Sequence, residues 1–191
     1  EMQNLGFPGI FGPGCNIHRS PFGGRNFEYY SEDALLSGKA AANAVYGMKT
    51  EGRYAFLKHY AVAETETGRD SYYSWLSEQA LREIYVKPFE IAVKEGGCVG
   101  IMSSYNRVGA RWAGGSIGLQ EGLLRREWDF RGAIITDFSD HNEYMNMNES
   151  IRMGGDLGMA TGINGENTTG VRMDREIRQA VKNVLYMWLN A

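Results

Sequence analysis

The sequence predicts an α/β domain built as part of a parallel barrel, and three observations carry that prediction. Short apolar runs alternate with longer helical patterns along the chain, an order that implies a parallel sheet or barrel. Five of the runs read as strands in 191 residues, whereas a complete eight-stranded barrel takes about 250 residues. Four runs end on polar groups, at Asn16-Ile17-His18-Arg19, Lys58-His59, Ser103-Ser104-Tyr105-Asn106 and Asp137. The C-terminal ends of barrel strands are where active sites lie.

The first predicted strand covers Gly9 to Ile17, and a long loop from His18 to Tyr30 carries Arg19, Arg25, Asn26 and Glu28. A helix from Glu32 to Met48 follows, with Ser31 as its expected N-cap and Leu35, Leu36, Ala40 and Val45 as an apolar stripe. The second strand, Tyr54 to His59, leads into a loop from Ala61 to Tyr73. The strongest helical pattern spans Ser74 to Glu95, with Leu76, Ala80, Leu81, Ile84, Phe89 and Val93 on one face and Gly96-Gly97 as its stop. A strand from Cys98 to Ser104, a loop with Arg107, Arg111 and Trp112, and a helix from Ser116 to Trp128 come next. The strand Gly132 to Thr136 ends on Asp137, the most informative stretch of the chain. A helix from Asp140 to Met153, a short run from Asp156 to Met159, a polar Gly-rich loop from Thr161 to Gly170 and a final helix from Met173 to Leu189 complete the pattern.

Composition narrows the function. Hydrophobic content of 43% and charged content of 23% are those of a globular protein with a sizeable core. A net charge of −3 with no basic stripe argues against nucleic acid. No apolar run approaches about 18 residues, so none is expected to span a membrane. The first residues, Glu1-Met-Gln-Asn-Leu-Gly, lack the form of a signal peptide; the location, cytoplasmic or secreted, stays open. Cys15 and Cys98 both lie in apolar runs and read as buried free thiols rather than a disulfide. No His or Cys spacing suggests a metal.

Asp137 is the first candidate for chemistry. A carboxylate on a rigid strand end suits nucleophilic attack on an electrophilic carbon, and in retaining glycoside hydrolysis that carbon is anomeric. The bland alternative is an N-cap, for which Asp140 is better placed. Lys58 and His59 are either a rim lysine and a core histidine or two donors for sugar hydroxyls. A strand-end lysine also admits a Schiff-base lyase. The Arg25 guanidinium, in Phe22-Gly-Gly-Arg-Asn-Phe-Glu28, suits vicinal hydroxyls or a carboxylate, or else an ion pair with Glu28 that orders the loop. Tyr105 and Arg69 sit on loops after two strands, and Trp112 and Phe138 are candidate platforms for a sugar ring.

Six ordered motifs resemble glycoside hydrolase family 3, specifically its β-glucosidase-like members. They are Gly12-Pro-Gly-Cys-Asn-Ile-His-Arg-Ser-Pro21, Gly24-Arg-Asn-Phe-Glu-Tyr-Tyr-Ser-Glu-Asp33, Leu57-Lys-His-Tyr60, Ser77-Glu-Gln-Ala-Leu-Arg-Glu-Ile-Tyr85, Met102-Ser-Ser-Tyr-Asn106 and Ile135-Thr-Asp-Phe138. The resemblance implies a partial (β/α)8 TIM-barrel-like catalytic domain over residues 1–191. It also implies a retaining, exo-acting β-glycosidase that acts on a β-linked glucoside or oligosaccharide without a cofactor. By the same resemblance Asp137 aligns with the nucleophile, and Arg25, Lys58 and His59 with ligands of the sugar hydroxyls. Tyr105 aligns with a tyrosine beside the nucleophile, Arg69 with an entrance-loop arginine and Asp156 with a structural aspartate. Phe138 stands where the family usually has Trp, and Ala63-Glu-Thr-Glu66 replaces an Asn-Asn-Gln-Glu-type run. The family's first barrel segment and its acid/base glutamate, from a second α/β-sandwich domain, are expected outside this chain, on the remaining domains or chains of the same enzyme. A non-catalytic sugar-binding or structural fragment is the alternative.

Overall fold

The computed structural model describes residues 2–139, 144–160 and 173–191. The predicted loop from Thr161 to Gly170 and the start of the predicted helix at Asp140 lie outside the described residues. After a short helix α1 (Met2–Leu5), β1 (Gly9–Ile10) runs parallel to β2 (Tyr54–Ala55). A parallel bridge between Gly14 and Lys58 carries the pairing toward β3 (Leu57–Tyr60). Separate from these, β4 (Tyr73–Ser74) lies on the loop that follows β3. Next in the sheet comes β5 (Gly100–Ser103). Its loop holds β6 (Arg107–Val108) and β7 (Arg111–Trp112), which pair with each other antiparallel and with β4 through β6. The sheet closes with β8 (Ala133–Phe138) and β9 (Leu157–Met159). The strand order β3-β5-β8-β9 is parallel throughout. The five predicted strands are therefore neighbours in sequence order, as in an unbroken arc of a barrel.

Helix α2 (Ala34–Thr50) starts at Asp33, whose side chain accepts a hydrogen bond from Leu36 N–H at 2.6 Å. Ser31, the expected cap, instead accepts from the Asp33 N–H two residues on. The long helix predicted from Ser74 is shorter and broken. Tyr73–Ser74 is strand, Ser77 caps α3 (Glu78–Ala80), a π-turn covers Leu81–Tyr85, and α4 (Lys87–Lys94) restarts the α pattern with Pro88 in its first turn. Proline at that position lacks only an N–H that the helix would leave unpaired. The segment Gly118–Glu127 is π-helical. Helix α5 (Met147–Arg152) is capped by Asn146, seven residues past the predicted start, and α6 (Asp174–Leu189) matches its prediction.

The core lies between this arc and its helices. Leu57, Ile101 and Ile134, one from each of three adjacent strands, are fully buried with Phe89 and Leu124, each contributing roughly 1.5–3 kcal/mol. Tyr60 stacks edge-on against Phe89 at 5.2 Å and donates its hydroxyl to Leu119 C=O at 3.1 Å. Gly38 lets α2 press against α4, since a Cβ there would sit 2.6 Å from Ile91 Cδ1. Cys15 and Cys98 are free and buried, as expected. No described helix is long and apolar enough to cross a membrane.

Candidate active site

Strand β8 runs buried from Ala133 to Asp137, and only Phe138 at its tip emerges. Period-two alternation would normally put neighbouring residues on opposite faces. Here Thr136 turns its hydroxyl to Met159 N–H at 2.9 Å and Asp137 turns into the cleft at the strand ends. That cleft is lined by Arg25, His59, Glu66, Arg69, Tyr105 and Asp137, with Asn106 behind. The loops after β3 and β5 and the long loop before α2 thus meet over the end of β8.

Asp137 is 8% exposed. Its Oδ1 accepts from Phe138 N–H at 2.8 Å, while Oδ2 is buried with no hydrogen-bond partner. His59 Nε2 stands 3.7 Å from Oδ2, beyond hydrogen-bond length. Burial pushes the Asp137 carboxyl above the usual range, opposed by the Phe138 amide, Arg25, Arg69 and the Tyr105 hydroxyl. Burial lowers His59 well below the ordinary histidine value, helped by the charges of Arg25, Lys58 and Arg69, so its ring is neutral. The Tyr29 hydroxyl lies 3.3 Å from His59 Nδ1. Burial raises that phenol, which stays protonated, and the other ring nitrogen, Nε2, is the one that faces Asp137. Burial, with the Asp137 charge, also pushes Tyr105 up to about 12.

Glu28 joins two of the expected sugar ligands. It pairs with Arg25 and with Lys58 Nζ at 3.1 Å. Burial alone would raise its carboxyl, and the two cations outweigh it and lower it. The ion pair weighed as the alternative for Arg25 is therefore present, and Arg25 lines the cleft as well. Lys58 is reached through Glu28 and is not among the lining residues. Arg69 pairs with Glu66 at 3.1 Å and lies 4.6 Å over the Tyr105 ring. Glu66 also faces Arg25 at 3.8 Å. Among the described residues no group of His, Cys, Asp or Glu is placed to hold a metal ion.

One expectation changes. Trp112 is 4% exposed and donates its indole N–H to Ser104 C=O at 2.8 Å, so it is core and not a sugar platform. Phe138 is 38% exposed at the tip of β8, beside the residues that line the cleft. His18, at the end of the first predicted strand, turns to Asn26 C=O at 3.2 Å. Its neighbour Asn16, not singled out in the sequence, grips His59 on both sides of the backbone, accepting from its N–H at 2.7 Å and donating to its C=O at 3.1 Å. The position of Asn16 at a strand end was the available signal. Tyr29 carried none, because its partner is 30 residues away.

Residues 1–181 match the family model described as the glycosyl hydrolase family 3 N terminal domain. A β-glucosidase of Ruminococcus albus is 44% identical over 138 residues, covering 72% of this chain and 15% of that protein. Among solved structures, a β-glucosidase from Paenibacillus barengoltzii superposes with a TM-score of 0.90 at 36% identity, over 100% of this chain and 23% of that one. β-Glucosidase 3B from Thermotoga neapolitana, in complex with glucose, gives 0.89 at 34% identity, over 100% of this chain and 28% of that one. The chain thus spans less than a third of the length of these relatives. Its arc of parallel strands is the TIM-barrel-like fold of their N-terminal domains, and the chain belongs to glycosyl hydrolase family 3.

Proposed function

We propose that this chain is the nucleophile-bearing part of a retaining, exo-acting β-glucosidase. Asp137 attacks the anomeric carbon from the end of β8 and forms a covalent glycosyl-enzyme. Water then releases the sugar, assisted by a general acid/base supplied from outside this chain. The observation that carries the reading is Asp137 Oδ2, a buried acceptor with no partner inside a cleft lined by donors. A buried acceptor left unmade is costly unless a ligand completes it. The surrounding groups fit a sugar. Neutral His59 presents Nε2, Arg25 and Arg69 present guanidinium donors, and Lys58 is held behind Arg25 by Glu28. Tyr105 stands beside the carboxylate, and the protonated state of its phenol allows it to donate there. Phe138 borders the rim. The partner is a β-linked glucoside or oligosaccharide, together with the remaining domains of the enzyme, and residues 1–191 are part of the catalytic barrel.

The test is labelling of the whole protein with a 2-deoxy-2-fluoro β-glucosyl fluoride, followed by intact-mass measurement and peptide mapping. One sugar on Asp137 is the expected result. A label on another residue overturns the assignment of the nucleophile, and hydrolysis without any accumulated label under slow-turnover conditions overturns the covalent mechanism.

A further inference from the structure

We infer that Glu64 is a positioning residue for this site: its carboxylate anchors the Asn16 amide that clamps the backbone of His59. The inference rests on the glycosidase reading above. An asparagine side chain offers one accepting oxygen and two donor hydrogens, and Asn16 uses all of them. Its Oδ1 accepts from His59 N–H at 2.7 Å, and its Nδ2 donates to His59 C=O at 3.1 Å and to Glu64 Oε1 at 3.2 Å. An ionised carboxylate only accepts. Glu64 therefore reinforces the amide orientation that the His59 N–H and C=O select, by accepting the second Nδ2 hydrogen. The flipped amide would set oxygen against carboxylate and NH2 against N–H. Asn16 is fully buried, so no solvent relieves such a clash. His59, clamped on both sides of its backbone, aims Nε2 at Asp137.

Protonation weakens this hold, because an amide N–H donates more strongly to a carboxylate than to a neutral carboxylic acid. The groups facing Glu64 are Asn16, the Ile17 amide, the Arg19 charge, Cys15, Tyr29 and Tyr72. Asn16, Ile17 and Arg19 favour the anion, but burial outweighs them and pushes the Glu64 carboxyl up to about 7. Its second oxygen, Oε2, is buried with no hydrogen-bond partner. Glu64 does not line the cleft, unlike Glu66 two residues on. It lies in Ala63-Glu-Thr-Glu66, where this chain departs from the family run, and no role was attached to it from sequence.

The experiment compares wild type with Glu64→Gln in the whole protein. Two readouts are followed across the neutral range: kcat/KM for 4-nitrophenyl β-D-glucoside, and hydrogen exchange at the His59 amide corrected for its intrinsic pH dependence. Glutamine keeps the size of the side chain and does not titrate. The wild-type to Glu64→Gln ratio of kcat/KM is expected to rise by roughly threefold to tenfold through neutral pH, with His59 protection rising in parallel. In an Asn16→Ala background the ratio should become flat. A ratio constant with pH overturns the inference, and so does a pH-dependent ratio that survives Asn16→Ala. Failure of the glycosidase reading shows elsewhere, as an Asp137→Asn protein that turns over normally or a wild type that does not turn over. His59 exchange then still decides whether Glu64 controls the clamp.

Discussion

Asp137 and Asp156 are both buried, each 8% exposed as a residue with side chains 11% and 1% exposed, at two places along the same sheet. Asp156 precedes β9, and its oxygens are fully engaged. Oδ2 accepts from Arg125 Nη2 at 2.6 Å and from Ile134 N–H at 2.7 Å, and Oδ1 accepts from Asn183 Nδ2 at 2.7 Å. Asp137 ends β8 with one oxygen bonded and the other bare. Burial raises both carboxyls, Asp156 to about 6 despite Arg125. Burial and a raised carboxyl are therefore common to the two aspartates. The distinction is whether the protein itself fills the acceptor sites. Asp156 ties the Gly118–Glu127 segment, β8 and α6 together, whereas Asp137 leaves an acceptor open toward a cleft.

The largest expected effect breaks that comparison at Asp137. Asp137→Asn should lower kcat of the whole protein by about a thousandfold or more, with no fall in the urea midpoint. Normal turnover would mean that the open oxygen serves no chemistry. At the other end, Asp156→Ala should destabilise the domain by about 3–5 kcal/mol, because it leaves half-buried Arg125 without its counter-charge and the buried Ile134 N–H without its acceptor. Urea unfolding measures this, and a loss below about 1 kcal/mol would make the network dispensable.

Glu64 sharpens the comparison, since it too has one bonded and one bare oxygen but lies off the cleft. Its folded value of about 7 stands above the unfolded value of about 4.3. Below the unfolded value both states are protonated and the contribution is fully present. As pH rises toward 7 the unfolded chain loses a proton that the folded chain keeps, and stability falls. The loss approaches roughly 3.6 kcal/mol by pH 8. Glu64→Gln should remove this slope, as urea midpoints at acid and mildly alkaline pH would show. An identical slope in the variant would assign the dependence to other groups. The smallest effect concerns a purely local device. Ser77 accepts from Ala80 N–H at 3.1 Å, and Ser77→Ala should cost about 1 kcal/mol without changing kcat/KM.

Much of the fold was visible in local pattern. Alternating apolar runs placed all five strands, because a parallel strand buried on both faces must be apolar along its length. The long helix from Ser74 was misjudged because its apolar spacing is helical throughout. The break comes from two signals that compete with spacing, the Ser77 cap and Pro88. Ser31 and Asp33 both suit a cap by residue type; the Leu36 N–H that must be reached decides, and Asp33 is the residue three before it. For the site, Asp137, Arg25, His59, Arg69 and Tyr105 were legible as polar residues at or just beyond strand ends, and they line one cleft. Trp112 was read by residue type alone, and packing claimed it.

By itself the sequence determined the order of elements, the family, and the strand ends at which polar side chains gather. These depend on neighbours a few residues apart. Only the tertiary structure decided which carboxylate is satisfied and which is bare. Asp137 and Asp156 look alike in sequence, each an acid beside an apolar run. Their difference lies in partners 22 to 31 residues away, and in the Asn16 clamp that reaches 43 residues to His59. Hydrogen-bond saturation is a sum over such distant donors, and no local pattern contains it.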